Sequence, residues 1–115
     1  MRNTDSLKNN FEFRRLYRSG KNAVCPYLAV YFRKTRESCN RLGITVSTKV
    51  GNAVVRNKIR RRIREAYRIH EAEFICPVDL VIVARVRCAN ADFHNIESAL
   101  LQLSDKLGLL KGASE

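Results

Sequence analysis

Residues Asn52 to His70 leave a folding chain little choice. The stretch holds no internal Gly or Pro and consists mostly of good helix formers. At 100° per residue its sides separate. Val55, Ile59, Ile63, Ala66 and Ile69 fall on one arc, and Asn57, Arg60, Arg61, Arg64 and Arg68 fall on the opposite one. Six arginines and one lysine occupy these 19 residues, with Glu65 as the only acid. A helix of this kind needs a scaffold for its apolar back and presents a column of guanidinium groups to whatever lies outside.

The flanking sequence reads as that scaffold. Residues 10–19 predict a short amphipathic helix capped by Asn9 or Asn10, with Gly20 as its C′ residue and Phe13, Leu16 and Tyr17 on one side. Residues 22–34 are strand-like, with a break or edge at Pro26. From Tyr27 to Arg33 the pattern alternates. Leu28, Val30 and Phe32 form the core side, and Tyr27, Ala29, Tyr31 and Arg33 form an aromatic and basic side. Residues 41–47 predict a further strand, the third, with Leu42, Ile44 and Val46 inward. The basic helix follows, with Asn52 as N-cap, and ends near Ala72. Leu80 to Ala84 is the apolar run of a central strand. A last helix begins at Asp92 or Asn95, carries Ile96, Ala99, Leu100, Leu103 and Leu107 as its stripe, and ends at Gly108. The order α-β-β-β-α-β-α predicts an α+β fold, a two-layer sandwich with a four-stranded mixed sheet. The 115 residues suit one domain spanning 1–115, with residues 111–115 as a frayed tail.

Charge narrows the partner. The net charge is +11, which attracts nucleic acid or anionic lipid. A solvated helix face mixes signs, whereas Arg60, Arg64 and Arg68 repeat at i, i+4 and cost the helix a few tenths of a kcal/mol per pair. Arginine's planar fork pairs with phosphate and stacks on bases. A membrane-seeking helix would carry large apolar groups on its free face, and no apolar run approaches the roughly 20 residues of a membrane span. No apolar stretch follows Met1–Asp5, so a cytoplasmic chain is expected. Cys25, Cys39, Cys76 and Cys88 show no zinc-ligand spacing and read as reduced thiols. His70 and His94 read as solvated or hydrogen-bonded side chains.

Aromatics interleaved with basic residues suit single-stranded nucleic acid, and Tyr17 and Tyr31 offer stacking faces. Phe13 is as readily a core residue. No nucleophile–base pair, carboxylate cluster or Gly-rich phosphate loop stands out, so no catalytic residue and no metal ligand is assigned to the polypeptide.

The block Arg41-Leu42-Gly43-Ile44-Thr45-Val46-Ser47, Lys49, Gly51-Asn52-Ala53-Val54, then Arg56-Asn57-x-x-Arg60-Arg61-x-x-Arg64-Glu65, closely resembles the protein subunit of bacterial ribonuclease P. Leu7-Lys8-x-Asn10 through Phe13 and Gly20, and Asp79 through Arg85, extend the similarity over most of the chain. The resemblance implies the same element order with a left-handed βαβ crossover, a fold shared with domains of a ribosomal small-subunit protein and a translocation GTPase. It also implies a protein that assists a catalytic RNA in removing the 5′ leader from precursor tRNA. The active-site Mg2+ would be held by the RNA, and the protein alone would bind no cofactor. By position, Arg56, Asn57, Lys58, Arg60, Arg61 and Arg64, with Arg68 beyond them, match the helix that meets the RNA. Phe13, Tyr17 and Tyr31, with Arg33 beside them, match a cleft for the single-stranded leader. Arg61 and Arg64 are open to either RNA. Asn9 stands where some relatives carry a lysine beside the leader.

The expected partners are therefore ribonuclease P RNA and precursor tRNA, with no membrane, for a protein that is monomeric by itself. Two other readings share the charge: a general RNA chaperone or ribosome-associated basic protein, and a protein-only nuclease.

Overall fold

The computed structural model describes residues 3–112. The chain runs through β1 (Thr4–Ser6), α1 (Asn10–Ser19), β2 (Lys21–Val24), β3 (Leu28–Lys34), β4 (Asn40–Val46), α2 (Ala53–His70), β5 (Val78–Ala84) and α3 (Phe93–Lys106). Single 3-10 turns at Glu71–Glu73 and Val86–Asn90 follow α2 and β5. The sheet has five strands in the order β1-β4-β5-β3-β2. Antiparallel pairs join β2 to β3 and β3 to β5, whereas β4 runs parallel to both β5 and β1. The strand-like segment 22–34 breaks at Pro26 as expected and forms a hairpin there, with β2 on the sheet edge.

Register sorts the side chains into two faces. Leu28, Ala84 and Val46 lie abreast, as do Val30, Ile82 and Ile44, and Phe32, Leu80 and Leu42. These rows pack under α2 and α3 in the main core, with Ile59, Ile63, Ala66, Ile96, Leu100 and Leu103 above them. The opposite face carries the rows Ala29–Val83–Thr45, Tyr31–Val81–Gly43 and Arg33–Asp79–Arg41. Among the described residues α1 is the one helix on it, packed with Leu7 through a small cluster of Leu7, Leu16 and Val81 that has Phe13, Tyr31 and Val83 at its margin. Helices thus lie on both sides of the sheet, one alone and two together.

The fifth strand is β1, absent from the expected order. Thr-Asp-Ser has no apolar alternation, so nothing local announces a strand. It forms by pairing Thr4–Ser6 with Asn40–Leu42 on the outer side of β4. The Thr4 hydroxyl also bonds the Tyr67 hydroxyl at 2.9 Å and donates to Glu71, which ties the N-terminal strand to the end of α2.

The buried arc of α2 is rotated from the expected one. Tyr67 is fully buried against Phe74, with ring centroids 4.9 Å apart, while Ile69 is 49% exposed. Tyr67 removes more apolar surface from water and still finds a partner for its hydroxyl in Thr4. Asn52 caps α2 by accepting from the Val55 N–H, and Asp92 and Asn95 form a reciprocal capping box on α3. Gly108 takes φ +73° just after α3, the left-handed position that favours glycine. Gly20 differs: its φ is −75°, and its smallness serves the close approach of the Leu16 and Phe32 carbonyls, 2.6 and 2.9 Å from where a Cβ would stand.

Of the tail expected to fray, Lys111 donates its N–H to the Glu73 carbonyl at 2.7 Å and Leu110 bridges to Phe74. Residues 113–115 lie outside the described residues. Cys25, Cys39, Cys76 and Cys88 are all free thiols, and burial pushes the Cys88 thiol up to about 11.

Candidate nucleic-acid interface

The interface is built on α2. Its apolar back fixes the rotation of the helix and so decides which arginines face out. Arg61 and Arg64 are exposed, and neither they nor Lys58 hydrogen-bonds or ion-pairs within the protein among the described residues. Arg60 Nη1 donates to Asn57 Oδ1 at 2.9 Å, which orients its fork. Arg56 Nε donates to the Gly51 carbonyl at 3.2 Å. Arg68 is half exposed and pairs with Glu65 through both ends of its guanidinium, which holds the Glu65 carboxyl below its usual range. One acid therefore offsets one arginine, and the remainder of the column keeps its positive field. Arg62 is less exposed and donates to the buried Ala91 carbonyl at 2.7 Å.

On one flank of α2 lies an open cleft of about 540 Å³. Its walls are α1, through Asn10, Phe13, Arg14 and Tyr17, and α2, through Arg60; its floor is β4 from Ile44 to Val46. The α1 residues follow an i, i+3, i+4, i+7 stripe. The cleft stays open because β1 pairs with β4 only at Asn40–Leu42, so no strand lies beside Gly43–Val46 on that edge among the described residues. The tip of the Phe13 ring reaches Gly43; a Cβ there would stand 2.5 Å from its Cζ and 2.6 Å from its Cε1. Tyr17 is 40% exposed, donates or accepts a 2.9 Å bond with the Thr45 hydroxyl, and meets Tyr31 edge-on at 5.1 Å. Phe13 and Tyr17 are 6.5 Å apart, centroid to centroid. A second recess beside β1 shares Phe13 and Arg60 and adds Arg64.

Of the expected cleft residues the structure places Phe13 and Tyr17 in the lining; Tyr31 touches Tyr17 without lining the cleft, and Arg33 is set apart. Arg33 shares the face of Tyr31, two residues along, but lines a separate recess with Arg15, Arg36 and Arg41. Arg41 is committed to the fold: its Nε and Nη2 donate to Asp79 at 2.8 and 2.7 Å, and Nη2 reaches Glu12 of α1 at 2.6 Å. That fork keeps the Arg41 guanidinium firmly protonated and clamps α1 to the sheet. Asn9 is the N-cap of α1, accepting from the Phe11 N–H at 3.1 Å, so its side chain serves the helix. Sequence reasoning passed over Asn10 and Thr45 as cleft residues and gave Arg14 no position there; the α1 stripe through Tyr17 was the available signal for Asn10 and Arg14.

Two roles expected for histidine resolve differently. His70 is held between Glu97, 2.9 Å from Nε2, and Glu73 at Nδ1, and Glu97 followed by Glu73 raises its pKa. The two carboxylates approach opposite ring nitrogens and do not converge on a common point. His94 is exposed, 3.8 Å from Glu97.

A mixed sheet backed by helices, an outward arginine column and an adjoining aromatic cleft are the features of a nucleic-acid-binding protein. The family model described as Ribonuclease P matches residues 1–108. The ribonuclease P protein component of Lachnoclostridium phytofermentans is 44% identical over 112 residues, covering 97% of this chain and 96% of that protein. That of Clostridioides difficile is 42% identical, covering 87% and 89%. The RNase P protein of Staphylococcus aureus superposes with a TM-score of 0.84 at 32% identity over 92% of this chain and 97% of that one. That of Thermotoga maritima gives 0.77 at 30% identity over 85% and 93%. The chain belongs to the ribonuclease P protein family, and as such is the protein part of a ribonucleoprotein endoribonuclease that matures tRNA 5′ ends. Its macromolecular partner is ribonuclease P RNA.

Proposed function

We propose that α2 docks on the catalytic RNA through Arg61, Arg64 and Lys58, with Arg56, Asn57, Arg60 and Arg68 bordering the contact, while the α1–β4–α2 cleft receives the single-stranded leader of precursor tRNA. Arg60 carries this reading, because it belongs to the arginine face and to the cleft wall at once. A leader threading the cleft passes beside the RNA-bound helix, and the shared positive charge lowers phosphate repulsion between the two RNAs. Phe13, Tyr17 and Tyr31 supply stacking surfaces, each worth about 1–3 kcal/mol per stacked base. Arg33, at the far end of the Tyr31 face, would meet only a leader that runs past the aromatics.

The protein binds no cofactor in this scheme, and Mg2+ acts within the RNA. In this scheme the protein joins the RNA as a monomer in the cytoplasm, where precursor tRNA is processed. The test is reconstitution with ribonuclease P RNA at low Mg2+. The expected result is a rise in precursor cleavage that polylysine does not reproduce and that is larger for substrates with a leader. Equal stimulation by polylysine would favour a general RNA chaperone. Cleavage by the RNA-free chain would favour a protein-only nuclease.

A further inference from the structure

The flank of α2 opposite the leader cleft carries a second groove, of about 440 Å³, between α2 and the start of α3. Arg61, Arg62, Arg64, Glu65, Arg68 and Phe93 line it. Phe93 is half-buried, seated on the edge of the main core, with the rest of its ring forming an apolar floor. Four guanidinium groups stand around this floor against a single carboxylate.

Those four groups divide into two kinds. Arg62 is pinned by its 2.7 Å bond to the buried Ala91 carbonyl, immediately before the segment that presents Phe93. Arg68 is pinned by Glu65. Both planes are fixed before any ligand arrives, so little side-chain entropy is lost on contact. Arg61 and Arg64 have no such partner among the described residues and are free to meet phosphates. A phosphate alone has no use for a phenyl floor, and an apolar peptide side chain gains nothing from a rim of like charges. An unstacked nucleobase uses both, since its flat face stacks on aromatic and guanidinium planes and its own phosphates meet the rim.

We infer that this groove takes one unstacked base of the catalytic RNA, with Phe93 as the stacking floor and Arg61 and Arg64 on the flanking phosphates. The inference rests on the docking of α2 on that RNA proposed above, and it extends the contact from one helix to two.

Three variants test it in complexes with ribonuclease P RNA, with thermal melting in parallel. Phe93→Leu keeps apolar volume and loses the π-face, Phe93→Tyr keeps both, and Phe93→Trp introduces the sole tryptophan of the chain. Phe93→Leu is expected to bind about ten-fold more weakly, in line with the loss of one stacked base. The slope of log affinity against log salt should stay unchanged, because no phosphate contact is lost. Phe93→Tyr should restore affinity, and Phe93→Trp emission should be quenched as RNA saturates. Wild-type affinity for Phe93→Leu overturns the inference, as does a shallower salt slope, which would indicate a phosphate contact at this position. Unquenched Phe93→Trp in the saturated complex also overturns it, and this readout stands even if Phe93→Leu melts early. A triple variant, Arg60→Ala, Arg61→Ala and Arg64→Ala, separates the two readings. If the triple variant loses affinity and Phe93→Leu does not, only the groove is wrong. If neither does, the α2 interface falls with it.

Discussion

On one face of the sheet α2 and α3 close over Leu28, Val30, Phe32, Leu80 and Ile82, and the side chains between them are almost completely withdrawn from water. On the other, a single ten-residue helix covers the rows through Tyr31 and Thr45, leaving Tyr17 well exposed and, among the described residues, the outer edge of β4 without a neighbouring strand from Gly43 on. The same strands supply both faces, because alternation sends successive residues to opposite sides. The difference lies in what is laid over them. Two packed helices give the first face its stability, and that stability allows the second to keep aromatic and polar groups in the open where a nucleic acid reaches them.

The contrast is sharpest in stability. Ile63 is wholly buried, and Ile63→Ala should cost about 2–5 kcal/mol in chemical denaturation. Tyr17→Ala on the open face should cost less than about 1 kcal/mol. Similar losses would show that the cleft face is as structural as the core.

Binding should show the reverse order. Tyr31→Ala and Phe13→Ala should weaken holoenzyme binding of leader-bearing precursor by about 1–3 kcal/mol, with little change for mature tRNA. Phe13→Ala should also cost some stability, since Phe13 packs beside Leu16 and over Gly43. Equal losses on both RNAs would make the aromatics structural and erase the distinction between the faces.

The smallest effect concerns His70, at the seam where α2 meets α3. Its pKa is raised in the folded protein by Glu97 and Glu73. The contribution of the charged imidazole is therefore full below the unfolded value of about 6.5 and is lost as pH rises through the raised folded value. Melting of wild type against His70→Gln should differ most at acidic pH, by under about 1 kcal/mol, and converge at alkaline pH. A difference that grows with pH would contradict this.

Much of this was legible in the sequence, and the gaps have physical causes. Periodicity located α1, α2 and α3, since each buries one stripe, and Leu80 to Ala84 announced the central strand. The motif helix and the Phe13–Tyr17–Tyr31 group were recognisable from spacing and family resemblance. β1 was not, because three polar residues become a strand only beside β4. Ile69 and Tyr67 exchanged places because helical spacing admits both, and only the position of Phe74 and Thr4 decides between them. Arg33 looked like a cleft residue because alternation assigns a face without saying how far along it α1 reaches. Phe93 gave no sign, since its neighbours in the groove come from a helix about 30 residues earlier in the chain and meet it only after folding.

The central claim is that the outward arginines of α2 neutralise RNA phosphates. Its most direct test is the salt dependence of binding to ribonuclease P RNA for the wild type and for the triple Arg60→Ala, Arg61→Ala, Arg64→Ala variant. Each lost phosphate contact should flatten the slope of log affinity against log salt by about 0.7–0.9, so the account predicts a slope shallower by about 2–3 and weaker binding at low salt, with melting close to wild type. An unchanged slope and unchanged low-salt affinity in a folded variant would contradict it.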